Sequence, residues 1–110
     1  MHARVLFDYG ATHSFISPYF ETHLGRGIEP LGTPIVVATP TGDPIEVTQV
    51  VRACPIIIDG HSYYTNLVLL GIMGFQVILG MDWLSAHHAV LDCREKTLTL
   101  YCPDEPIRVY

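Results

Sequence analysis

Apolar residues along this chain gather in short runs that end on turn-forming residues, a spacing that predicts strands rather than long helices. Ala3–Phe7 reads as a short buried strand that runs into Asp8. Ser17-Pro18 has the form of an N-cap followed by Pro at the first helical position. With Glu21 in the first turns and Gly25 as a stop, it predicts a helix over Pro18–Leu24. Ile35–Thr39 and Ile45–Ala53 flank Pro40-Thr41-Gly42-Asp43-Pro44, which is dense in turn formers and predicts a hairpin. In its second arm Ile45, Val47, Val51 and Ala53 share one face, and Glu46, Thr48 and Arg52 the other. Asp59-Gly60, between Pro55–Ile58 and Ser62–Leu70, predicts a two-residue hairpin. Gln76–Leu79 reads as a strand, Met81–His87 as a second short helix, and Ala89–Cys93 with Thr97–Cys102 as a last hairpin. From Pro103 the chain turns polar. Residues 1–102 are therefore expected to form one folded domain, with 103–110 as a linker or tail. The predicted fold class is all-β, a small barrel-like domain with one or two short helices.

Composition narrows the function classes. A length of 110 residues suits one domain, and a formal charge of −5 without any basic run argues against nucleic acid as a partner. Leu67–Leu70 and Val77–Leu79 are too short to span a bilayer, and Met1-His2-Ala3-Arg4 opens no secretory leader, so neither membrane nor export is expected. Cys54, Cys93 and Cys102 are odd in number and lack C-x-x-C spacing, which fits a reduced, intracellular, cytoplasmic setting. His13, His23, His61, His87 and His88 show no metal-ligand spacing, so neither metal nor cofactor is expected, and His87-His88 reads as a solvated helix end. Trp83 and Tyr63-Tyr64 read as core packing, and Ser14 beside His13 is no catalytic triad.

The chemistry centres on Asp8. A carboxylate at the end of an apolar strand, followed by Tyr9-Gly10-Ala11, sits on a tight turn whose backbone amides can point at its oxygens. Such a group becomes a catalyst when a second carboxylate shares its site, because two like charges a few ångströms apart hold one proton between them. The pair can then activate a water and protonate a peptide carbonyl in one step.

The stretch Val5-Leu6-Phe7-Asp8-Tyr9-Gly10-Ala11-Thr12-His13-Ser14-Phe15-Ile16-Ser17 resembles the active-site segment of the retropepsin-like aspartic proteases of plant gypsy-type retrotransposons. Val77-Ile78-Leu79-Gly80-Met81-Asp82-Trp83-Leu84 resembles that family's second signature. The resemblance implies a retropepsin-like acid-protease barrel and an aspartic endopeptidase that processes a retroelement Gag-Pol polyprotein, within virus-like particles. It implies Asp8 as the catalytic acid, Tyr9, Gly10, Ala11 and Thr12 as the active-site loop, and Ile78, Leu79 and Gly80 as its brace. Pro40, Thr41 and Gly42 would form the flap over the substrate cleft. Asp43, Asp59, Asp82, Asp92 and Asp104 lie outside any second Asp-Ser/Thr-Gly context. A homodimer with one Asp8 from each chain, acting on a polypeptide, is therefore expected. Asp82 also reads simply as an acid at a helix N-terminus.

Tyr9 departs from the family pattern, which has Ser or Thr there with a hydroxyl that bonds across the dimer. A ring near the two-fold axis must turn outward or push the loops apart, and overpacking costs roughly 1–3 kcal/mol. Only seven residues precede Asp8, whereas the family usually has a further strand there. The alternative reading is a weakened or inactive relic that acts at most as a dimerising or peptide-binding module.

Overall fold

Two sheets and two short helices make up the computed structural model, which describes residues 3–38, 42–71 and 74–110. Strand β1 (Val5–Phe7) ends at Asp8, and a loop leads to β2 (Phe15–Ile16) and helix α1 (Pro18–Leu24). Then come β3 (Glu29–Val37), β4 (Ile45–Ile58), β5 (His61–Leu69), β6 (Val77–Leu79) and helix α2 (Met81–Ala86). The chain closes with β7 (Ala89–Asp92), β8 (Thr97–Leu100) and β9 (Arg108–Val109). The larger sheet has the order β1-β6-β2-β5-β4-β3 and the smaller one β7-β8-β9. This is the mostly β architecture with two short helices expected from the sequence.

The local signals explain the elements they lie in. Ser17 Oγ accepts the Phe20 N–H at 3.1 Å, Pro18 opens α1, and Gly25 closes it in the left-handed region at φ 64°. Asp59 and Gly60 both have positive φ, 50° and 82°, which matches the right-handed twist of the β4–β5 hairpin. Successive strand residues face opposite sides of a sheet. Phe15 accordingly packs with Val47, Val50 and Val68, while Ile16 joins Leu67, Leu79, Trp83, Leu98 and Leu100 in the main core. Trp83 is fully buried against Phe7 and Tyr63, with ring centroids 5.9 and 5.8 Å away.

Several expectations are corrected. β2 has only two residues, too few to show a period, yet it lies antiparallel to β6 and parallel to β5. In β4 the buried residues are Val47, Val50, Val51 and Cys54, while Ile45 and Ala53 are exposed. The register shifts between Val51 and Cys54, where Ala53 takes a φ of 49°, and this bulge breaks the simple alternation. Tyr63 is buried but Tyr64 is exposed, as neighbours on one strand must be when only one face is covered. The stretch 103–110, expected as a linker, returns to the fold. β9 pairs with β8, Leu98 and Tyr110 exchange both backbone hydrogen bonds, and the Tyr63 and Tyr110 hydroxyls lie 2.7 Å apart. The outer edge of β8 offers unpaired backbone groups, and β9 meets them with Arg108 and Tyr110 turned inward while Ile107 and Val109 stay exposed.

Candidate active site

β1 carries Asp8 to the mouth of a loop that closes on β6. Val5, Leu6 and Phe7 pair in parallel with Val77, Ile78 and Leu79, and the Asp8 N–H donates to the Leu79 carbonyl at 2.9 Å. The half-buried Asp8 then turns its carboxylate back on the chain, where Oδ1 accepts the Gly10 N–H at 2.8 Å. The Ala11 N–H closes the turn on the Asp8 carbonyl at 3.3 Å. A Cβ on Gly10 would stand 3.2 Å from Asp8 Oδ1, so glycine leaves the carboxylate its place.

The other end of the loop rests on the start of α2. The Ala11 carbonyl accepts the Met81 N–H at 2.7 Å, and Ile78 pairs with both Leu6 and Phe15. Gly80 lies directly beneath the loop: a Cβ there would come within 2.7 Å of the Ala11 carbonyl oxygen and closer still to that of His13. The structure thus brings Asp8, Tyr9, Gly10 and Ala11 together with Ile78, Leu79 and Gly80. Thr12 is exposed on the same loop. Gly42 is exposed between β3 and β4 with φ 93°, while Pro40 and Thr41 lie outside the described residues.

Sequence reasoning missed a polar lock behind the loop. Ser14 is completely buried; its Oγ donates to Asp82 Oδ1 at 2.6 Å and accepts the Gly80 N–H at 3.0 Å. Its N–H reaches Asp82 Oδ2 at 3.2 Å, and Asp82 Oδ1 also accepts the Trp83 N–H at 2.8 Å. The helix-end role read for Asp82 is therefore only half of what it does. The available signal was a small hydroxyl residue next to the apolar Phe15-Ile16 pair, since a buried hydroxyl needs partners.

Tyr9 turns outward. Its ring is half exposed, and its hydroxyl accepts the Leu91 N–H of β7 at 2.9 Å.

Elsewhere, burial against Trp83 and Tyr63 holds the His87 imidazole below the usual histidine range, with Glu105 opposing and His88 adding to the shift. The ring expected as a solvated helix end is thus part of the core's rim. Burial and nearby Glu105 push the Cys102 thiol up, and burial with the Tyr63 hydroxyl pushes Tyr110 up to about 12. A cavity of about 390 Å³ lies away from Asp8, between β1, α1 and the bulged part of β4. Val5, Phe20, Cys54 and Ile56 line it, and burial raises the Cys54 thiol. Among the described residues no three His, Cys, Asp or Glu side chains converge on one point, and no helix is long and apolar enough to cross a membrane.

Comparison with known proteins bears on the loop and on the fold. Residues 1–105 match the family described as retroviral aspartyl protease. Among solved structures, the chain is similar to the retroviral protease-like domain of Ddi1 from Leishmania major. The two share 16% identity and a TM-score of 0.68, over 98% of this chain and 84% of that one. At that identity the likeness concerns the fold. No curated protein matches the chain.

Proposed function

We propose a function that starts from kinship: the chain belongs to the retroviral aspartyl protease family, and we read it as an aspartic endopeptidase with Asp8 as its catalytic carboxylate. The observation that carries this reading is the Asp8 turn. A half-buried carboxylate is oriented by the Gly10 amide and held between β6 and α2. Asp82 and Asp92 are engaged elsewhere, Asp82 by Ser14 and Trp83, and Asp92 by the N–H groups of Arg94 and Glu95. The second carboxylate of the pair is therefore assigned to Asp8 of another copy, across a two-fold axis. One proton shared by the two groups lets one of them take a proton from water while the other hydrogen-bonds the substrate carbonyl. The turn that includes Gly42, between β3 and β4, is read as the flap over an extended polypeptide. The substrate is the polyprotein of a gypsy-type retroelement, cut within cytoplasmic virus-like particles, and the domain itself contacts neither nucleic acid nor membrane.

A second reading, a dimerising or peptide-binding relic that cuts nothing, draws on Tyr9, whose hydroxyl is engaged by Leu91 of its own chain. Cleavage of a peptide library, with and without a pepstatin-like inhibitor, separates the two. The protease reading expects inhibitable cleavage with a bell-shaped, acidic pH profile that belongs to the pair. It also expects a loss of roughly 10²-fold or more in Asp8→Asn, since a positioned proton-transfer group is worth that much. Equal cleavage by Asp8→Asn, or a rate that only climbs into alkali, overturns it. A folded wild type as inert as Asp8→Asn leaves the relic.

A further inference from the structure

The Asp8 turn has two attachments made by backbone alone, Asp8 to Leu79 of β6 and Ala11 to Met81 of α2. A third is made by a side chain, and it reaches the next element in sequence. β7 is an edge strand of its sheet, paired on one side with β8. The Leu91 N–H points away from β8 and donates to the Tyr9 hydroxyl. An outward N–H on an edge strand is ordinarily left to water, so this bond is a specific use of the tyrosine's length. Serine or threonine at position 9 is too short to make it.

We propose that Tyr9 is a positioning residue that braces the Asp8 turn within a single protomer, through the hydrogen bond its hydroxyl accepts from Leu91 of β7. The ring leaves the turn on its outer side, half exposed, and ties it to the hairpin that follows α2. The turn is thereby held by β6, α2 and β7 in succession, all of them from the same chain. The orientation of the Asp8 carboxylate against the Gly10 amide is then set before any second copy arrives. The catalytic consequence rests on the reading of Asp8 as the catalytic carboxylate; the brace itself does not.

Tyr9→Phe removes the hydroxyl and keeps the ring, so the fold is preserved, and the test is made on the full 110-residue chain. Amide hydrogen exchange is followed at Leu91 and Gly10, with Val90 and Asp92 as neighbours in the same strand. The expected result is exchange roughly tenfold faster at Leu91, and measurably faster at Gly10, in Tyr9→Phe, as loss of one hydrogen bond implies. Val90 and Asp92 should be unaffected. In cleavage assays kcat should fall by about tenfold with KM within about twofold, the pattern of lost positioning rather than lost binding. Tyr9→Thr should recover kcat only as protein concentration rises, because its hydroxyl is within reach of a partner and not of Leu91. Equal exchange at Leu91 in wild type and Tyr9→Phe overturns the brace. Slower exchange in the wild type together with an unchanged kcat overturns the positioning role. If the wild type cuts nothing while the exchange difference persists, the brace stands and the protease reading falls.

Discussion

At the scale of single residues, the site depends most on an atom that is absent. Gly80 lies under the 11–13 loop, and any Cβ would meet backbone carbonyl oxygens of Ala11 and His13 that have nowhere to rotate. Gly80→Ala should therefore destabilise the fold by roughly 1–3 kcal/mol, as overpacking of a tight interior does, and should reduce Asp8-dependent cleavage. A urea midpoint equal to that of the wild type would show that the loop shifts freely. At Gly10 the nearest atom is Asp8 Oδ1, the end of a side chain that can turn, so alanine there disturbs the carboxylate more than the fold. The turn at Asp8 and Gly10 was legible in the sequence because a strand-end acid followed by glycine is a local signal, whereas Gly80 was reached only through the resemblance of its segment. Ser14 was not, since its role exists only when Asp82 and Gly80, 68 and 66 positions away, fold onto it.

At the scale of elements, α1 matches the residues predicted for it, because its limits are written next to it: Ser17 as cap, Pro18 as first helical residue, Gly25 as stop. Ser17 is buried, so Ser17→Ala leaves the Phe20 N–H without its acceptor and should cost about 1 kcal/mol in chemical denaturation. Ser17→Asp should lose much less; similar losses in both variants would mean that the cap bond is not the source. β4 teaches the opposite. Its fourteen residues pair with β3 and β5 at once, and the two registers shift at different places, between Pro30 and Ile35 and between Val51 and Cys54. The first irregularity lies in β3 and the second in β4 itself, and Val50 and Val51 are both buried, in different clusters, so no two-residue period could show the burial of Val50.

For the molecule as a whole, one half-buried ring ties stability to pH. The His87 ring packs on Trp83, with centroids 4.7 Å apart, and burial keeps its folded pKa below the ordinary 6.5. The folded state thus binds fewer protons there than the unfolded state. The stability this gives is full above the ordinary value and is lost as pH falls through the folded one. The melting temperature should fall between about pH 7.5 and about pH 5, and fall less steeply in His87→Gln. Parallel declines in the two proteins would place the acid sensitivity elsewhere. The acidic activity proposed for the Asp8 pair would fall in the range where this support is withdrawn.

The sequence alone determined what depends on neighbours along the chain: the strand ending on Asp8, the cap and stop of α1, and the Asp59-Gly60 turn. The tertiary structure decided what depends on which surfaces meet. It inserted β2 between β6 and β5, a pairing too short to leave a period. It folded 103–110 back as β9, because the open edge of β8 offered backbone partners that a polar sequence does not advertise. It also sent the Tyr9 hydroxyl to Leu91, 82 positions away. Composition could announce a tyrosine beside a carboxylate, but only the packing of β7 against that turn gives its hydroxyl a donor.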